Sequence, residues 1–205
     1  SILIDGGFAN KFNSNVEKAA KGISKSISSS EIKSRLDLRN TPTFTIDPND
    51  AKDFDDAISV QKLTNNNLEI GVHIADVGHY IKKDDIIDKE ALKRGTSVYL
   101  VDRVIPMLPE VLSNDLCSLK PKVDRLCFSV IFEINSKAEI LDYKISKSII
   151  HSNKRFTYKE AQDNIDNGSG EYHQELIDIN NLAKIFREKR KEEGSINFER
   201  EETKF

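Results

Sequence analysis

With 205 residues, 32% of them charged and a formal net charge of −3, the chain suffices for one sizeable domain or two small ones. It lacks the bulk lysine and arginine excess on which non-specific nucleic-acid binding draws, so any nucleic-acid-binding surface is either local or carried by other parts of a protein. No apolar run reaches the roughly 18 residues of a membrane-spanning helix, and no signal-peptide pattern is present. Residues 1–34 read as a leader or connector rich in Asn, Ser and Lys. Within it Val16-Glu17-Lys18-Ala19-Ala20 predicts a short helix, whereas Gly22 and the Ser28-Ser29-Ser30 run predict a loose connection.

The next stretch holds the chemistry. Thr43-Phe44-Thr45-Ile46 has the β-branched and aromatic content of a strand, Pro48-Asn49-Asp50 is turn chemistry, and Ala57-Ile58-Ser59-Val60-Gln61-Lys62-Leu63 reads as a second strand. Asp47 therefore ends one strand, and Asp53, Asp55 and Asp56 lead into the next, which places carboxylates at both lips of a tight reversal. Like charges gathered in a partly dry site repel and raise one another's pKa, and a divalent cation removes that cost. Four carboxylates with no cysteine or histidine among them suit Mg²⁺ or Mn²⁺ far better than zinc. Alternation along an extended chain puts Asp53 and Asp55 on one side and Asp56 on the other, so the three need not bind the same ion. By itself the segment also fits an acidic surface loop. An EF-hand fits worse, because no glycine follows at the required place. Phosphatases with an aspartate nucleophile and D-x-D glycosyltransferases expect an apolar strand directly before the acidic pair, where this chain has Asn49-Asp50-Ala51-Lys52.

Further along, Asn65-Asn66-Asn67 reads as a hairpin loop, and Asp84 to Leu92 has helical spacing with Gly95 as its stop. His73-x-x-Asp76-x-x-His79 imitates a zinc site, but strand residues three apart face opposite ways, so these side chains are expected to be structural. Cys117 and Cys127 stand in apolar surroundings without C-x-x-C spacing and read as reduced core residues of a cytoplasmic protein. Strands at about 126–134 and 139–150 flank the turn Asn135-Ser136-Lys137. Thr157 with Glu160 predicts a capped helix near 158–166. A longer helix over about 171–192 carries Leu176, Ile179, Leu182 and Phe186 on one stripe, with Arg187-Glu188-Lys189-Arg190-Lys191 as a solvated end. Gly194 to Glu199 reads as the start of another strand. Hairpins and helices without repeated β-α-β units predict an α+β fold on a mixed, largely antiparallel sheet.

Arg35-Leu36-Asp37-Leu38-Arg39 followed by T-I-D-P-N-D-A-K-D-F-D-D-A resembles the opening of the catalytic domain of the ribonuclease II and ribonuclease R family. Val72-His73-Ile74-Ala75-Asp76-Val77, Gly95-Thr96-Ser97-Val98-Tyr99 and the run from Pro106 to Leu119 resemble that family's later blocks in its order, with wording closer to ribonuclease R. The resemblance implies a processive exoribonuclease that hydrolyses single-stranded RNA from the 3′ end to nucleoside 5′-monophosphates with Mg²⁺. It puts the active-site aspartates on Asp47, Asp53, Asp55 and Asp56 and the base-stacking tyrosine on Tyr99. It also implies that residues 35–205 are the N-terminal part of a catalytic domain that continues beyond Phe205, flanked by RNA-binding modules not recognisable here. This chain alone is therefore expected to be inactive. No obligate protein partner and no membrane are implied. A second class stays open: a fragment that folds and binds a metal or partner without turnover.

Overall fold

The structure is a computed structural model and describes residues 11–100 and 103–196. Its strands in chain order are β1 (Leu36–Asp37), β2 (Thr43–Asp47), β3 (Asp56–Lys62), β4 (Leu68–Ala75), β5 (Val98–Tyr99), β6 (Val104–Ile105), β7 (Asp124–Ile134), β8 (Ile140–His151) and β9 (Lys154–Thr157). Seven of them form one sheet in the order β1-β8-β7-β4-β3-β2-β9, while β5 and β6 pair as a separate ribbon. The interior pairings are antiparallel, and the edge strands β1 and β9 join in parallel. With its helices this is the α+β arrangement on a mixed, largely antiparallel sheet that the sequence predicts.

The helices are α1 (Ser14–Lys21), α2 (Ser29–Lys33), α3 (Val77–Tyr80), α4 (Ile86–Arg94), α5 (Tyr158–Asn167) and α6 (His173–Glu192), with a π-helical turn at Leu112–Leu116. One sheet face, through Ala57, Ala75, Cys127 and Ile150, packs against Val16 and Ala20 of α1, Ile87 of α4 and Leu112 and Leu116 of the π-helical turn. The other face is covered by α5 and α6: Phe44 and Phe156 meet Ala161 and Leu176, and Val60, Ile70 and Ile134 meet Leu182. Thr157 and Glu160 make the reciprocal capping box at the start of α5, which satisfies helix N–H groups otherwise left open. Lys189 of the basic run does more than face water, since its ammonium donates to the carbonyls of Lys137 and Ala138 at 3.0 and 3.1 Å and closes the β7–β8 turn.

The loose connection predicted before Ser34 forms only in part: residues 22–28 are irregular, but the chain then turns helical. Ser28 accepts from the Glu31 N–H and starts α2, so the serine run is a helix cap and not a spacer. Val16 and Ala20 bury one face of α1 in the core. The strand expected over Gly194–Glu199 lies largely outside the described residues.

A polar chain crosses the sheet centre. The ring of the fully buried His73 lies over Gly71, with Nδ1 2.7 Å from Ser129 Oγ and Nε2 2.9 Å from Ser59 Oγ, and Ser129 in turn meets Ser148. A Cβ on Gly71 would stand 2.6 Å from His73 Nε2, so the ring's place requires glycine there. Asp76 pairs instead with Arg35, and His79 lies 3.6 Å from Glu31, so the imitation zinc trio disperses to three different partners.

Burial pushes the His73 imidazole down to about 4. The unfolded chain therefore takes up a proton that the folded state refuses. The His73 contribution is complete above the unfolded pKa near 6.5 and is lost as pH falls from there toward 4, by roughly 3 kcal/mol in full. Denaturant unfolding at several pH values between 7.5 and 4.5 is expected to show this slope in the native chain and a smaller one in His73→Gln. Equal slopes would mean that other groups carry the pH dependence.

Candidate active site

The acidic segment is held by backbone and core contacts, so its carboxylates are presented on a fixed loop. β2 and β3 are paired only at Thr43 with Ser59 and Phe44 with Ile58, which leaves the chain between Asp47 and Asp56 free to bow outward. The turn closes with the Ala51 N–H on the Pro48 carbonyl at 3.1 Å. Phe54 then points into the core, only 8% exposed, and the alternation of the extended chain turns Asp53 and Asp55 away from it. Buried Ser118 clamps this stretch, accepting from the Phe54 N–H at 3.1 Å and donating to the Lys52 carbonyl at 2.8 Å. Two more backbone bonds complete the anchorage: Leu119 N–H to the Phe54 carbonyl and Ala75 N–H to the Asp55 carbonyl.

All four predicted aspartates lie within electrostatic reach of one another. Burial raises the Asp47 carboxyl pKa against the nearby Thr45 hydroxyl, and the charges of Asp56 and Asp53 push upward against Arg155. Asp55 is exposed, yet the surrounding protein strips enough hydration to raise its pKa, and Asp53, Asp56 and Asp47 all add to the rise. Asp55 is thus the carboxyl that feels the other three. Proximity stops short of a formed ligand sphere: among the described residues no three carboxylate, histidine or cysteine side chains are grouped to hold a metal ion. The donor set is nonetheless all oxygen, and the buried Oδ2 of Asp47 has no hydrogen-bond partner, as suits a hard cation.

Tyr99, at the end of β5, reaches the same place. Its hydroxyl donates to Asp53 Oδ2 at 2.9 Å while the side chain stays 65% exposed. Burial of the hydroxyl, followed by its bond to Asp53 and the charges of Asp53 and Asp55, pushes its pKa up to about 12.

Two supporting residues escape the sequence reading. Arg155 of β9 is in register with Thr45 of β2, donates to the Pro48 carbonyl and has its guanidinium carbon 5.6 Å from the centre of the Phe54 ring. Its Nε, Thr45 Oγ1 and Asp47 Oδ2 are buried and unpartnered on adjoining strands. Ser118 lies inside a segment whose wording is informative, but its role is defined only by contact with a loop more than sixty residues away.

Residues 35–205 match the RNB domain family. The chain is 42% identical over 209 residues to ribonuclease R 1 of Lactococcus lactis, covering 99% of this chain and 26% of that protein. It is 46% identical over 182 residues to the human exosome complex exonuclease RRP44, covering 88% of this chain and 19% of that protein. Among solved structures, Mycoplasma genitalium RNase R in complex with ribose-methylated single-stranded RNA superposes with a TM-score of 0.88 at 32% identity, covering 99% of this chain and 32% of that one. This chain therefore spans only about a fifth to a third of the length of these relatives.

Proposed function

Because this chain belongs to the RNB domain family and is similar to ribonuclease R 1 of Lactococcus lactis and to the human exosome complex exonuclease RRP44, we propose that it is part of a hydrolytic enzyme that removes nucleotides from the 3′ end of single-stranded RNA. The observation that supports this reading is the clamped loop that keeps Asp47, Asp53, Asp55 and Asp56 within electrostatic reach of one another, with the Tyr99 hydroxyl bonded to Asp53. Asp47, Asp53, Asp55 and Asp56 are the residues to hold Mg²⁺ or Mn²⁺. A bound divalent cation supplies a more acidic water and offsets charge on the scissile phosphate.

The chain's own residues do the rest. Tyr99 offers a flat partner to the terminal base, and stacking tolerates any base because each has a π-face. Arg155 holds the loop through the Pro48 carbonyl and partly balances Asp47. In the hydrolysis a water oxygen bonds to phosphorus and the bond from phosphorus to the 3′ oxygen of the preceding nucleotide breaks. That oxygen takes up a proton, and the released nucleotide keeps its 5′-phosphate.

The test is mononucleotide release from an RNA with an unpaired 3′ end, measured for this chain and for one carrying the remainder of a ribonuclease R catalytic domain. We expect release from the longer polypeptide and none from this chain alone, since this chain spans only about a fifth to a third of its relatives' length and catalysis also needs cationic groups and walls that exclude water. Absence of release from both would favour the second reading, a metal- or partner-binding domain without turnover.

A prediction for Tyr99 follows from the same placement. In the active longer protein Tyr99→Ala is expected to misplace the last nucleotides, lengthen the smallest product and slow trimming about tenfold to a hundredfold, because base stacking is worth roughly 1–3 kcal/mol. Tyr99→Phe keeps the ring and the product length. Gel analysis of limit products separates these outcomes, and identical behaviour of Ala and Phe would assign the effect to the hydroxyl instead of the ring.

A further inference from the structure

Tyr99 is held in the structure by its tip. Its side chain is largely open to solvent, yet its hydroxyl is committed to Asp53 Oδ2 at 2.9 Å. A hydroxyl donating to an ionised carboxylate makes a bond about twice as strong as a neutral one, so this contact ties down one of the oxygens that a cation would need. The two partners differ in what holds them. Asp53 precedes Phe54, which is buried and bonded through its N–H and carbonyl to Ser118 and Leu119. Tyr99 stands on a ribbon of two paired residues per strand outside the main sheet, and so short a ribbon is marginal by itself. If the contact opens, Tyr99 is the partner that moves.

We propose that the Tyr99 hydroxyl and a divalent cation compete for the Asp53 carboxylate, so that cation binding frees the Tyr99 ring for the terminal base of RNA. The inference depends on the cation reading given under Proposed function. Linkage makes the effect reciprocal, and a base that draws the ring away leaves Asp53 free and tightens the cation.

The test is a calorimetric titration of Mn²⁺ into the native chain, Tyr99→Phe and Tyr99→Leu, with folding of each verified by circular dichroism. Loss of the competing hydroxyl is expected to tighten Mn²⁺ by roughly tenfold in both variants, the scale of one charge-assisted hydrogen bond. A second readout uses the absence of tryptophan and the presence of five tyrosines, which leaves tyrosine emission unobscured. A carboxylate hydrogen bond quenches that emission, so adding Mg²⁺ is expected to raise it in the native chain and leave it unchanged in Tyr99→Phe. Equal Mn²⁺ affinity in the native chain and Tyr99→Phe would overturn the proposal, as would tightening in Tyr99→Leu alone, which would point to ring packing. Failure of all three proteins to bind Mn²⁺ would remove the cation reading itself and this inference with it.

Discussion

Replacing Asp55 by asparagine is expected to abolish RNA hydrolysis by an active protein that carries this domain, while most of its RNA affinity survives. The Asp55 carboxyl pKa is raised first by burial and then by the charges of Asp53, Asp56 and Asp47, and the residue sits on a loop fixed by Ser118, Leu119 and Ala75. The amide preserves shape and removes one negative charge within electrostatic reach of the other three carboxylates. Interactions that matter only as charge develops in the transition state then vanish, while stacking and phosphate contacts persist, so turnover falls and binding does not. The loss is put at about 10²–10³-fold or more, the scale for removing one electrostatic contact to a transition state. Turnover at saturating Mg²⁺, beside an RNA-binding titration in chelator, measures both. Near-native turnover would remove Asp55 from the catalytic centre, and a parallel loss of affinity would assign it to binding.

The largest effect on stability is expected from Arg35→Met. The Arg35 side chain is fully buried, with Nη2 donating to Asp76 Oδ2 at 2.6 Å and Nε to Glu31 Oε1 at 2.7 Å. Nη1 reaches the carbonyls of Cys127 and Ser148 at 3.2 and 3.4 Å. The guanidinium therefore joins α2, the β4–α3 junction and the sheet in one place. Methionine fills the volume but leaves the nearly buried Asp76 carboxylate without its countercharge, a change that costs about 3–5 kcal/mol. For a chain of this size that corresponds to a fall in Tm of roughly 10 °C. Arg35→Met with Asp76→Leu is expected to recover a large part of the loss, because no buried charge is then stranded. A loss below about 1 kcal/mol in the single variant would show that water reaches Asp76 and screens it.

Local chemistry was legible wherever one segment carries both halves of a signal. The Thr157–Glu160 capping box, the stripe Leu176, Ile179, Leu182 and Phe186, and the strands on either side of Asn135 are all written within a few residues, and the structure contains them. The serine run before Ser34 misled because serine serves loops and helix caps alike. Only the burial of Val16 and Ala20 against the sheet, and Ser28 at the start of α2, separate the two uses.

What the sequence determined by itself is the family, through four motif blocks in order along the chain, the mixed sheet with its helices, through hairpin and helix patterns, and the acidic run from Asp47 to Asp56, through spacing along one strand–loop–strand unit. The tertiary structure alone decided which contacts support that run. Arg155 arrives through the parallel pairing of β2 with β9, Ser118 through the segment after the π-helical turn, and the Tyr99 hydroxyl through a separate ribbon. Each is brought in by chain closure over tens of residues or more. Such closure leaves no local periodicity to read, since it is specified by the packing of whole elements and not by the side chains that finally meet.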